Sequence, residues 1–248
     1  MSLNSYFHLL LAFWRREWLV RYGQWGWGLL ILLANPSVMI LLKYGSLGPN
    51  STLKNQHEFF FGLMWWLFFS SLLTNTAAMA SSHRDLIRKN PFPRSILLLL
   101  PLCLSLADWT IGLLLFMFYT LFYYPDLLFQ LAHIPFLLLA LFPFAIGISA
   151  LLTSTLFRFP KLRHLVPFLL LLGFVSSRFF QYDGSASFFD LVNPLAGFMR
   201  YEHTFFLFHH VGHCSFPIFP YNSLLISIFY FLAGFILFKQ TASKLADF

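Results

Sequence analysis

The sequence predicts an all-α fold, a polytopic membrane helical bundle with six transmembrane helices, and three observations carry that reading. Of 248 residues, 58% are hydrophobic and 10% charged, too little polar cover for a water-facing surface of this size. The apolar residues fall in continuous runs of roughly 20, the length a helix needs to cross about 30 Å of hydrocarbon, and not in the short alternating segments of a membrane barrel. The basic residues are also asymmetric. Threading six spans from an inside N-terminus leaves Lys43, Lys54, Arg178 and Arg200 outside and the other 12 of the 16 Lys and Arg inside, which places both termini in the cytoplasm.

The elements follow in order. Residues 1–22 predict an interfacial amphipathic helix: in "LNSYFHLLLAFWRREWLVR", Phe7, Leu10, Leu11, Trp14 and Trp18 recur on one side while His8, Arg15 and Arg16 fall toward another. Arg15, Arg16 and Arg21 would hold cations at the cytoplasmic headgroup level, where an anionic phosphate arrives. No clean apolar stretch precedes these charges, so the segment is expected to be retained and not cleaved as a signal peptide. The six spans are expected at about 25–43, 59–81, 96–124, 131–156, 165–181 and 221–238.

Between the second and third spans lies "SHRDLIRKNPFPR", residues 82–94. A plain connector needs its charge but not the rest. Arg84, Asp85, Arg88 and Lys89 form a compact charged handle, Leu86 and Ile87 a small apolar face, and Pro91, Phe92, Pro93 and Arg94 a stiff exit into the third span. A second basic loop, "FRFPKLRHL", faces the same side. Before the last span, residues 182–220 are too broken by Asn193, Pro194, Gly197 and charges to span, yet too apolar to float free; short extracytoplasmic re-entrant helices fit that chemistry.

Ionisable groups on the spans are scarce. Asp108, in "SLADWTIG", is expected to hydrogen-bond a neighbouring helix or lie near an interface, since an ion-driven pump needs several such groups. No paired-carboxylate, Ser-His-Asp or metalloprotease pattern occurs, so no catalytic residue is assigned. In "FHHVGHC", His209 and His213 would share a helical face beside His210 and Cys214, all zinc or copper ligand types. Gly212 and Pro217 weaken that helix and no fourth ligand is defined, so an extracytoplasmic turn is the expected reading and no metal is assigned. Cys103 and Cys214 sit in separate segments and suggest no disulfide framework. The net charge of +7 belongs to the loops beside the spans and does not call for nucleic acid. The chain reads as one domain over residues 1–248.

Five stretches in order, "RYGQWGWGLLILLANP" (21–36), "FFGLMWWLFFSSLL" (60–73), "HRDLIRKNPFPRSILLL" (83–99), "FRFPKLRHLVPFLL" (157–170) and "LVNPLAGFMR" (191–200), resemble the membrane subunit of type-2 ABC exporters for polysaccharides. These permeases export O-antigen, teichoic acid or capsule. The resemblance implies that the loop from Arg84 to Arg94 couples to a separate ATPase and that the segment before the last span forms gate helices. It further implies a second copy of the chain, two ATPase subunits holding the ATP and Mg, and a polyprenyl-pyrophosphate-linked polysaccharide as substrate in the lipids of the bacterial cytoplasmic membrane. No cofactor is expected on this chain, and a G-x-x-x-x-G-K-[ST] phosphate loop is absent from it.

Two departures from the family pattern stand out. Phe159-Pro160-Lys161-Leu162 occupies the place of a common Phe-Arg-Asp-Val, and Trp65-Trp66 that of a Pro-Trp. A glycan path makes sense of the aromatics, because sugar C–H faces pack on rings; Trp65, Trp66, Phe68, Phe69, Tyr119, Tyr123 and Tyr124 are the candidates, with Trp66 foremost. An exporter of a drug, lipid or other small amphiphile is the alternative within transport. A membrane-embedded metal protein or enzyme using His209, His213 and Cys214 is the alternative outside it.

Overall fold

The computed structural model describes residues 3–22, 53–82, 93–123, 125, 131–176, 193–201 and 221–244. Its helices are α1 (Leu3–Tyr22), α2 (Leu53–Ser82), α3 (Ile96–Tyr123), α4 (Ile134–Arg158), α5 (Val166–Ser176), a short α6 over 194–201 and α7 (Tyr221–Lys244), with a 3-10 turn at Pro160–Leu165 joining α4 to α5. Strands are absent among the described residues. Four stretches are long and apolar enough to cross a membrane: Phe60–Ala80, Ile96–Tyr123, Leu131–Arg158 and Tyr221–Thr241. The expected first span lies outside the described residues, and the fifth is described only as far as Ser176.

Side-chain pairs fix the register of the bundle. α2 and α3 run antiparallel, with ring centroids of Phe60 and Tyr119 4.6 Å apart, Phe61 and Phe116 5.7 Å, and Trp65 and Trp109 5.4 Å. Further along, Asn75 Nδ2 donates to Ser105 Oγ at 3.0 Å. α4 lies parallel to α2: Phe69 meets Phe144 at 5.4 Å, and Thr76 Oγ1 and Ser149 Oγ are 3.0 Å apart. The core contains Trp65, Phe68, Leu72, Leu137, Leu141 and Phe198, all fully buried.

α7 inverts the water-soluble pattern. Its buried positions are Ser223, Ser227, Gly234, Phe238 and Thr241, while Leu225, Phe229, Leu232, Phe235 and Ile236 face outward. Lipid is as apolar as leucine, so apolar side chains gain little by turning inward, and small residues that let backbones approach decide the contact. Gly147 and Gly234 are the crossing of α4 and α7. A Cβ on Gly147 would stand 2.5 Å from the amide nitrogen of Phe231 and closer still to the carbonyl of Tyr230, and one on Gly234 would strike the carbonyl of Gly147.

Several buried hydroxyls on the spans are satisfied within their own helix. Thr76, Ser105, Thr153, Ser154 and Ser227 each donate to the carbonyl four residues back at 2.7–2.8 Å, the arrangement hydrocarbon requires of a buried O–H. One end of the bundle gathers Arg94, Arg158, Lys161, Arg163 and Lys239, because α2, α4 and α7 end where α3 begins.

Candidate functional site

At that basic end, the chain enters α3 through a turn whose acceptors are in place. Ile96 N–H donates to the Pro93 carbonyl, Leu97 N–H to that of Arg94, and Leu98 and Leu99 N–H to that of Ser95, each at 3.1 Å. Pro93, which lacks a donor, thus stands before the first helical turn, where none is missed. Pro93 and Arg94 are half-buried. The remainder of the expected handle, Arg84, Asp85, Leu86, Ile87, Arg88, Lys89, Pro91 and Phe92, lies outside the described residues. The second basic loop is the turn at Pro160–Leu165, closed by Leu162 N–H donating to the Phe159 carbonyl at 3.0 Å, with Leu162 half-buried and Lys161, Arg163 and His164 exposed.

α1 lies beside α3. Tyr6, Leu9, Leu10, Phe13, Trp14 and Trp18 cover Met79, Ile96, Leu100 and Leu104, whereas Phe7 and Leu11 are exposed with His8, Arg15 and Arg16. Tyr6 O–H donates to Ser95 Oγ at 2.8 Å and Tyr22 O–H to Asp108 Oδ1 at 2.6 Å. Both pairs advance in the same direction, 16 residues along α1 and 13 along α3 (22 − 6 and 108 − 95). At about 1.5 Å per residue, α1 follows α3 for roughly 20 Å, so its far end stands level with the middle of that span. Arg15 and Arg16 therefore sit on the outward face of a helix inclined along the bundle. Arg21 belongs to the same helix, but its side chain is outside the described set.

The sequence reading missed what Tyr22 reaches. Asp108 also accepts from Ser71 Oγ through its other carboxylate oxygen, and Asn75 Nδ2 donates to Ser71 Oγ at 3.1 Å as well as to Ser105. A polar cluster of three helices thus sits at mid-span, as the chemistry of a lone intramembrane carboxylate demands. Its signal was present in the sequence: Ser71 and Asn75 are four apart and Ser105 and Asp108 three apart, so each pair shares one helical face.

The aromatic candidates do not line one wall within a single chain. Trp65 is fully buried against Trp109 of α3; Trp66 turns to α5, its ring 5.1 Å from Phe174; Phe69 turns to Phe144 of α4. Tyr119 stands at the far rim between Phe60 and Tyr123, with Tyr123 exposed, and Tyr124 is outside the described residues. The indole N–H groups of Trp65 and Trp109 are buried with no acceptor among the described residues.

At the end opposite the basic loops, Asn193, Pro194 and Gly197 come together on α6. Asn193 is its N-cap, the side-chain oxygen accepting from Leu195 N–H at 3.1 Å while the amide donates to Ser176 Oγ at 2.9 Å. Pro194 takes the first helical position, where its missing N–H costs nothing. Gly197 lies on Ser223 of α7 with no room for a side chain, and Leu195 and Phe198 enter the main core. His209, His213 and Cys214 lie outside the described residues, and no group of three metal-ligand side chains occurs among those described.

No family model matches the chain. Among curated proteins it is similar to the O-antigen export system permease protein RfbA of Myxococcus xanthus, with 25% identity over 218 residues, 84% of each chain. The resemblance to permeases of type-2 ABC polysaccharide exporters is thereby borne out across most of the sequence.

Proposed function

From the resemblance to the type-2 ABC polysaccharide-export permeases, we propose that this chain is the transmembrane subunit of an ATP-driven exporter of a lipid-linked polysaccharide. It carries the glycan, on a polyprenyl pyrophosphate, from the cytoplasmic side to the outer face of the cytoplasmic membrane. The observation that carries the reading is the similarity to an O-antigen export permease over 84% of the chain, joined to four membrane-length helices in an all-helical fold.

The parts then take these roles. Two copies form the path, and two separate ATPase subunits supply the ATP and Mg chemistry. The pyrophosphate is met by Arg15, Arg16 and Arg21, and the first two stand on an exposed helix face; Arg offers planar, multi-donor recognition of phosphate oxygens. The segment from Arg84 to Arg94 receives the push of the ATPase and delivers it to α2 and α3, which it joins. Rings at the rim, Tyr119 with Phe60 and Tyr123, pack on sugar C–H faces as the polymer leaves. Asn193, Pro194 and Gly197 hold the short helix that gates the outer end.

The test is co-purification of the full chain with the ATPase encoded beside it, followed by hydrolysis measurements in lipid with and without lipid-linked glycan. Hydrolysis that rises with the glycan is the expected result. An ATPase that fails to co-purify, or hydrolysis indifferent to the glycan, overturns the proposal.

A further inference from the structure

Asp108 is the sole acidic side chain within the four described spans. It lies 12 residues past Ile96 (108 − 96), near the middle of the 28-residue α3. The amide of Asn75 donates to Ser71 Oγ, so the single hydroxyl hydrogen of Ser71 is left for Asp108, and Tyr22 O–H takes the other carboxylate oxygen. Asp108, accepting from both Ser71 and Tyr22, is thereby the meeting point of α1, α2 and α3.

The three helices are not held equally. α2 and α3 pair from Phe60 to Asn75 of α2 and from Ser105 to Tyr119 of α3, through rings and the Asn75–Ser105 bond. α1 touches α3 through apolar side chains, and polar ties between them include Tyr6 to Ser95 at one end and Tyr22 to Asp108 at the other. Apolar contacts inside a bilayer barely distinguish protein from lipid. The polar ties therefore set how far α1 slides along α3. Arg15 and Arg16 lie seven and six residues before Tyr22, roughly 9–10 Å along the helix, so the tie at Asp108 sets their depth.

We propose that Asp108 is a positioning residue: through Tyr22 it holds α1, and with it the arginine pair that meets the substrate's pyrophosphate, at a fixed height on the α2–α3 hairpin. The inference rests on the transport reading for the role of the arginines. Because the hairpin is the pair of helices flanking the coupling segment, a displacement of it carries Asp108, Tyr22 and the arginines together.

The experiment uses the full chain in membranes, with Cys103→Ala and Cys214→Ala and one reporter cysteine, Leu19→Cys near the joint or Phe7→Cys at the other end. Both positions are exposed on α1. Because neither is shielded by the bundle, the rate of reaction with a membrane-impermeant maleimide rises as that end of α1 leaves its depth in the bilayer for water. Tyr22→Phe removes only a hydroxyl, and Asp108→Asn replaces the carboxyl group with an amide. Each is expected to raise labelling at position 19 by roughly three- to fifteen-fold, the range for one interhelical hydrogen bond in a membrane. Labelling at position 7 stays within about two-fold, and Asp108→Glu restores the slow rate. An unchanged rate at position 19 in both variants overturns the proposal, as does an equal rise at both ends.

The assay contains neither nucleotide nor glycan, so it fails separately from the functional reading. Export that survives Arg15→Ala with Arg16→Ala removes the arginines' role and leaves the joint standing. An unmoved label at position 19 removes the joint and leaves export standing.

Discussion

Adding one methyl group at Gly147 should separate two helices that nothing else forces apart. A Cβ there would sit 2.5 Å from Phe231 N and nearer to the Tyr230 carbonyl, about 1 Å short of ordinary contact. Its neighbours are main chain on one side and the helix's own backbone on the other, so no side chain can swing away. A gap of about 1 Å forfeits a quarter to a half of each contact's attraction. For a crossing of on the order of 50 atom pairs at about 0.15 kcal/mol each, the loss is about 2–4 kcal/mol. Alanine's better helix propensity returns up to about 1 kcal/mol, leaving about 1–3 kcal/mol of net destabilisation for Gly147→Ala. Thermal unfolding of purified protein, followed by the loss of monodisperse elution after heating, reads this as a midpoint lowered by several degrees. Gly112→Ala is the matched control, because its Cβ would meet only Leu67 Cδ1 at 3.7 Å, an ordinary contact. If Gly147→Ala melts like the parent, or Gly112→Ala falls as far, close backbone approach is not what joins α4 to α7.

Three further outcomes are expected. Gly197→Ala should weaken the docking of α6 on α7, since its Cβ would collide with the Ser223 hydroxyl while Ser223 Cβ lies at 3.1 Å; adding Ser223→Gly should recover most of the loss, read by proteolysis of the outer segment. Asn193→Ala should cost about 1 kcal/mol of cap stability, measured as faster amide exchange in 194–201, with Asn193→Asp close to the parent. Arg88→Glu with Lys89→Glu should leave the chain folded and inserted but remove export, with hydrolysis by the co-purified ATPase no longer responding to substrate; export at the parent rate would refute the coupling role of that loop.

Long continuous apolar runs made the spans legible. The expected 96–124 and 131–156 correspond to Ile96–Tyr123 and Leu131–Arg158 within a few residues, because hydrocarbon thickness sets the length whatever the partners are. Asp108 was legible for a related reason: a lone carboxylate on a span must find donors, and it finds Ser71 and Tyr22. Facing was harder to read. Phe7, Leu10, Leu11, Trp14 and Trp18 read as one apolar side of α1, yet Tyr6, Leu9 and Phe13 join Leu10, Trp14 and Trp18 against the bundle while Phe7 and Leu11 stay exposed, and in a helix with Leu or Phe on nearly every side apolarity does not say which face meets protein. The same holds for the candidate site. Trp65 and Trp66 are adjacent and chemically identical, but they point to different helices because that is set by Trp109 and Gly173, far away in sequence.

The burial of the Trp65 and Trp109 indoles has an optical consequence. Indole emission moves to longer wavelength when water or another polar group reaches the ring nitrogen, and both nitrogens are buried in the seam between α2 and α3. In a chain whose remaining tryptophans are exchanged for phenylalanine, colour alone would announce the moment the seam wets. The protein thus carries its own hydration gauge, readable in milliseconds without any attached dye.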